Sequence, residues 1–159
     1  MTLTRHEEKI PAELIWRLIG YKVYSPEVKA YHASNARWKA SVSPARTSKS
    51  YAAFADVLGK HVFPEMVLYK DEQGRVVKRY PKAIEGSSQG VALGWVIAPD
   101  YKLCKEFSYL WDVLVTNRKA YDFDYEIEKK INNPDQGSLH LVINWGEDEA
   151  GFAVKTEIY

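Results

Sequence analysis

Residues 91–98 read Val-Ala-Leu-Gly-Trp-Val-Ile-Ala and are stopped by Pro99. A strand with one wet face alternates apolar and polar residues. A nearly continuous apolar run suits a strand covered on both faces, as in a parallel sheet. The following residues, Asp100 to Val115, place Leu103, Phe107, Leu110, Trp111 and Leu114 at helical spacing, which predicts a helix directly after the strand.

The rest of the chain predicts a mixed α/β order. Residues 11–20 read as a short helix, with Pro11 at its first position and Gly20 as its stop. Residues 25–33 open with Ser-Pro-Glu, an N-cap, a first helical position and an acidic first turn. Arg37 to Val42 alternates and predicts a strand, Ser43 to Ser48 a turn of small polar residues, and Ser50 to Val62 a helix. Phe54, Val57, Leu58 and Val62 would share that helix's buried face. Val67–Tyr69 and Arg75–Tyr80 flank Asp-Glu-Gln-Gly as a hairpin. Residues 84–90 are loop-like. Ser138–Trp145 and Phe152–Tyr159 are predicted strands joined by Gly-Glu-Asp-Glu-Ala-Gly. Strand, turn, helix, buried strand and helix, in that order, begin an α/β sheet. Ligands in such sheets bind beyond the carboxyl ends of strands, which points to Ser43–Ser50 and Pro99–Tyr101.

The chain has 159 residues, one domain by length, and 46% hydrophobic residues, enough for a core. No apolar run reaches about 18 residues, which argues against a membrane-spanning helix. The charged N-terminus lacks the apolar stretch of a signal peptide. Cys104 is the single cysteine, which excludes an internal disulfide and a Cys-based zinc site. A cytoplasmic location is expected. Net charge is +1 overall, yet residues 1–62 carry ten Lys/Arg against five Asp/Glu, and residues 122–159 three against nine. The first third can face a polyanion; the last third is poorly suited to one.

Residues 43–50 read Ser-Pro-Ala-Arg-Thr-Ser-Lys-Ser. A nucleotide P-loop is Gly-x-x-x-x-Gly-Lys-[Ser/Thr] between a strand and a helix. Here the Lys-Ser pair is in place, while Ser43 and Ser48 stand where the glycines would be. Backbone N–H groups at a helix start bind an anion with help from the helix dipole. Lys49 would reach the outer phosphates and the Ser50 hydroxyl would ligate Mg²⁺. Arg46 would stabilise charge on a transferred phosphoryl group. An ordinary capped helix after a Ser/Thr-rich turn accounts for the same octapeptide.

Other groups point to structure. His6, His32, His61 and His140 lack metal-ligand spacing and read as surface or half-buried residues. Glu147, Asp148 and Glu149 lie between glycines and read as a solvated hairpin turn. Cys104, Trp95 and Trp111 fall on buried patterns. Trp38, beside basic residues, is the tryptophan placed to stack on a base.

Tyr24-Ser-Pro-Glu-Val-Lys-Ala-Tyr-His-Ala-Ser-Asn-Ala-Arg-Trp-Lys resembles the segment before the P-loop in large terminase subunits of tailed bacteriophages. Pro-Ala-Arg-Thr-Ser-Lys-Ser-Tyr-Ala-Ala is similar to that family's deviant Walker A motif. Gly94-Trp-Val-Ile-Ala-Pro-Asp-Tyr101 resembles its next strand, with an Ala-Pro-x-Tyr end. Gly-Phe-Ala-Val-Lys-Thr-Glu-Ile-Tyr, residues 151–159, resembles the strand preceding Walker B. The likeness runs from about Tyr21 to Tyr159 and is looser over 66–90.

The resemblance implies a partial P-loop NTPase-like sheet flanked by helices, with hairpins in the middle and at the C-terminal end. Residues 1–20 would be a helical lead-in to one ATPase domain. It implies ATP and Mg²⁺ as cofactors. Ala45, Arg46, Thr47, Ser48, Lys49 and Ser50 would hold the phosphates, with Arg46 and Lys49 catalytic and Ser50 on the metal. Tyr24 would lie near the adenine. The implied partners are double-stranded viral DNA, the small terminase subunit and the portal protein, in the host cytoplasm, with self-association and no membrane. Three departures stand out. Ser48 replaces the glycine before the lysine, Val28 stands where the family has its adenine-reading Gln, and no apolar strand closing in Asp-Glu appears by Tyr159. The chain is therefore expected to be the N-terminal part of such a domain, without useful ATP hydrolysis alone. A fragment of another P-loop ATPase or helicase shares these features. A non-catalytic α/β module binding nucleic acid through residues 1–62 is the other alternative.

Overall fold

The computed structural model describes residues 1–36, 38–40, 49–83, 91–94, 125–133 and 138–159. The described residues form two sheets and three α-helices. The first sheet is antiparallel, in the order β1 (Thr4–Glu8), β2 (Met66–Lys70), β3 (Val76–Pro81). The second has the order β4 (Val91–Gly94), β7 (Ala153–Ile158), β6 (Ser138–Glu147), β5 (Glu126–Asn133). Its β4–β7 pair is parallel, Val91 facing Lys155, whereas β5–β6 and β6–β7 are antiparallel. The fold is thus α/β with mostly antiparallel pairing, and the apolar run at 91–98 opens in a strand with a parallel neighbour, as its pattern predicts.

Both predicted hairpins form, and they share one turn chemistry. Asp71 and Asp148 each open an Asp-Glu-x-Gly turn. Asp71 Oδ1 accepts from the backbone N–H of Gln73 and Arg75, both at 2.9 Å. Asp148 Oδ1 accepts from Ala150 and Phe152, again at 2.9 Å. Gly74 and Gly151 sit at φ +78° and +88°, the left-handed conformation that glycine adopts without a steric penalty.

α1 (Ala12–Leu18), α2 (Pro26–Ala33) and α3 (Lys49–Val57) precede the sheets' later strands, and α3 continues as a π-helical turn, Leu58–Val62. Ser25 caps α2 as expected, its Oγ accepting from Val28 N–H at 3.2 Å. The core joins Ile15 of α1, Phe54, Leu58 and Val62 of the α3 segment, and Leu141, Ile143, Trp145, Val154 and Ile158 of β6 and β7. Every second residue of β7 is buried, the period expected of a strand with one face on the core. The buried Thr156 is satisfied: its hydroxyl donates to Val62 O at 2.8 Å and accepts the Trp145 indole N–H at 2.9 Å.

Several expectations are corrected. The lead-in 1–20 is not all helical, because Thr4–Glu8 pairs with β2 along its whole length. Its Thr-Arg-His-Glu-Glu sequence carries no alternation to read, since every residue is exposed. β5 was likewise hidden by its charged sequence, Glu-Ile-Glu-Lys-Lys-Ile-Asn-Asn. Pro11 is the N-cap of α1 rather than its first residue. The strand expected over 37–42 is absent at Trp38–Ala40, which are irregular. Val57 is 44% exposed: Ala52, Ala55 and Leu58 draw the buried face of α3 to its other side, about 160° from Val57. The expected turn at 43–48, loop at 84–90, helix at 100–115, and Cys104, Trp95 and Trp111 lie outside the described residues.

Candidate functional site

The described part of α3 runs from Lys49 to Val57, so Lys49 and Ser50 are helical. Ala45, Arg46, Thr47 and Ser48 lie outside the described residues. Tyr24, expected near a base, is 53% exposed and directly precedes the cap of α2. Val28, at the position of the family's Gln, packs against the Trp16, Tyr21, Ala52 and Ala55 cluster. It therefore serves the packing of α2, not the reading of a base.

Position 56 lies seven residues after position 49. Seven residues make almost two full turns, so both positions share one face of α3, about 10 Å apart along the axis. Asp56 is buried there at the centre of a polar hub. Its Oδ1 accepts from His32 Nδ1 at 3.0 Å and from Lys60 Nζ at 3.0 Å; its Oδ2 accepts from Lys39 Nζ at 2.8 Å. A carboxylate only accepts, so His32 Nδ1 carries the proton. Nε2 of the ring pairs with the Tyr21 hydroxyl, 2.7 Å away. The Trp16 ring packs on His32 at 4.4 Å between centroids. Burial alone would raise the Asp56 pKa, but the hydrogen bonds from Lys39, His32 and Lys60 outweigh it and hold the carboxyl below its usual range. Burial also works against the charge on Lys60, yet its bond to Asp56 leaves its pKa above the ordinary lysine value.

A Tyr–His–Asp chain has the geometry of a proton relay. Here Tyr21 and His32 are 5% and 6% exposed, so the Tyr–His–Asp chain is a buried one. What the hub does is fix two lysines. Lys60 Nζ also donates to the carbonyls of His32 and Ser34, and Lys39 Nζ to that of Tyr31. Both ammonium groups line a cleft of about 410 Å³, with Lys9, Ile10, Pro11, Ala12, Ser34, Asn35, Ala36, Gly59 and His61.

This hub corrects the reading of His32, which is a core residue rather than a surface or half-buried one. It also brings in Tyr21, Lys39, Asp56 and Lys60, which motif reading passed over. One signal was available: Asp56 is the only acid between Glu27 and Glu65, among six Lys/Arg. The Glu147–Glu149 segment does form a hairpin turn, but Glu149 binds Arg5 through Nε and Nη2, the latter at 2.9 Å, and accepts from the Tyr69 hydroxyl. Among the described residues no group of three His, Cys, Asp or Glu is placed to hold a metal ion, and no helix is long and apolar enough to cross a membrane.

Comparison with protein-family models, curated proteins and solved structures finds no match for this chain.

Proposed function

We propose that the chain is the N-terminal part of an ATP-binding motor domain of the terminase large-subunit kind. It would take ATP with Mg²⁺ at the Lys49 end of α3 and work on double-stranded viral DNA with a small terminase subunit and a portal protein. The observation that carries this reading is that Lys49 and Ser50 are helical, at the N-terminal end of the described part of α3. The chemistry of the pair fits the ligand: an ammonium for the outer phosphates, a hydroxyl for Mg²⁺, and the positive end of a helix dipole behind both. The parallel β4–β7 pair adds support, because parallel strands belong to the sheets in which such turns occur. Asp56 is not a metal ligand in this scheme, since both its oxygens are occupied by His32, Lys39 and Lys60. Titration of the chain with Mg²⁺-ATP tests the proposal. Saturable binding is expected, weakened roughly 10-fold or more in Lys49→Ala, as for loss of a charged hydrogen bond. Binding that Lys49→Ala leaves unchanged overturns it.

A second reading, a nucleic-acid-binding module without nucleotide chemistry, has its own support in Trp38. This tryptophan is 84% exposed and is flanked in sequence by Arg37 and Lys39. An exposed indole between two basic residues in sequence suits stacking on an unpaired base. It predicts single-stranded DNA binding that weakens steeply with salt and with Trp38→Ala, and that Lys49→Ala spares.

A further inference from the structure

The 410 Å³ cleft lies at the other end of α3 from Lys49. Gly59, Lys60 and His61 belong to the π-helical turn beyond the α3 C-terminus, roughly 15 Å along the helix axis from position 49. Its remaining walls come from the β1–α1 junction, the residues after α2, and Lys39.

Charge in this cleft is unbalanced. Lys9, Lys39 and Lys60 line it, and no carboxylate does among the described residues. The nearest acid, Asp56, spends both oxygens on the hub and offsets one of the three positive charges. With histidine neutral, that leaves two positive charges facing a small space. Lys60 uses its three N–H groups on Asp56, His32 O and Ser34 O, so it supplies charge but no further donor. Lys39 uses two, on Asp56 and Tyr31 O, and its ammonium also lies over the Tyr31 ring, 5.0 Å from the centroid. The two side chains retain 15% and 21% exposure, so they are fixed but still reachable. Two lysines whose rotamers are already held lose little entropy on meeting an anion, unlike ordinary surface lysines. Ile10, Pro11 and Ala12 supply an apolar wall that weakens solvent screening.

We propose that this cleft is an anion site distinct from the Lys49 end of α3, taking a phosphate group through the Lys9 ammonium and the field of Lys39 and Lys60. Its volume falls within the range of small-ligand sites. The phosphate can be free or part of a phosphodiester chain; the recognising chemistry is the same. The site does not depend on the nucleotide reading.

The test is a titration of the full chain at low ionic strength, once with inorganic phosphate and once with a short DNA oligonucleotide, followed by amide NMR shifts. Lys9→Ala is the main variant, because Lys9 is exposed and outside the hub. Lys39→Met is the second, used after circular dichroism shows that it folds. Expected is saturable binding of phosphate, the oligonucleotide or both, with amide shifts at Lys9–Ala12 and Ser34–Ala36, weakened about 5-fold or more by Lys9→Ala and further by Lys39→Met. Binding by phosphate identifies a free anion as sufficient; binding by the oligonucleotide alone identifies a chain phosphate. Binding of neither ligand, or binding insensitive to Lys9→Ala, overturns the proposal. Loss of phosphate binding in Lys49→Ala with Lys9→Ala intact also overturns it, by placing the anion at the Lys49 end of α3.

Discussion

Trp16 occupies the space that a side chain at Gly59 would need. A Cβ built at position 59 would lie 2.7 Å from the Trp16 Nε1 and 2.8 Å from the Ala12 Cβ. The indole cannot retreat freely, because its N–H donates to Ala55 O at 2.6 Å. α1 therefore crosses the π-helical turn at a point where only hydrogen fits. Gly59→Ala is expected to cost about 1–3 kcal/mol, the usual range for overpacking, read as a lowered thermal midpoint. Adding Trp16→Phe, which removes the clashing indole nitrogen but leaves the Ala12 Cβ, should cost less than the sum of the two single changes. Simple additivity would show that the Trp16–Gly59 contact is not the cause.

Asp56 gives the clearest dependence on pH. Asp56→Asn leaves Lys39 and Lys60 without a counter-charge, and a loss of about 3 kcal/mol is expected. That is the low end for breaking a buried pair, since both lysines keep some water contact. The folded carboxyl titrates below its ordinary value. Its contribution is therefore complete above the ordinary aspartate range and is lost as pH falls through the folded pKa. Thermal midpoints measured down the acid limb should fall less steeply in Asp56→Asn than in the parent chain. Parallel acid limbs would show that the hub does not depress the Asp56 pKa.

Ser25 tests the local coding of α2. Its hydroxyl satisfies the Val28 N–H, one of the donors that a helix start leaves without an intrahelical partner. Ser25→Ala should destabilise the chain by about 1 kcal/mol, and Ser25→Asp should retain most of the stability. Chemical denaturation of the three proteins separates these outcomes. Equal midpoints would mean that α2 is held by packing alone.

Elements written in local patterns were legible. Ser25-Pro26-Glu27 marks the start of α2, the two Asp-Glu-x-Gly turns mark both hairpins, and the strand expected over 152–159 forms as β7. β1 and β5 were not legible, because their side chains are mainly charged and their strand state comes from pairing with distant partners. Trp38–Ala40 shows the converse: alternating residues predict a strand that does not form there. At the candidate site, the helix expected from Ser50 is present, with Lys49 helical as well. The hub was not legible, because its parts stand at 21, 32, 39, 56 and 60 and meet only when α2 and α3 pack. A lone acid among basic residues was the one trace it left.

Glu149 links the hairpin turn of β6 and β7 to the first sheet, and it carries the last prediction. Hydrogen bonds from Arg5, and then from Tyr69, hold its carboxyl below the ordinary glutamate range. The group is exposed, so the bridge is expected to set the position of the turn more than the stability of the chain. Its contribution is present above the ordinary glutamate range and fades on acidification through the folded pKa. Carboxyl-carbon NMR titration should find Glu149 below its usual value in the parent chain and close to that value in Arg5→Ala, with high salt producing part of the same shift. Amide exchange of Ala150 and Gly151 should quicken in Arg5→Ala while the β6–β7 ladder stays protected. An unchanged Glu149 titration in Arg5→Ala would show that the two sheets are not joined through this pair.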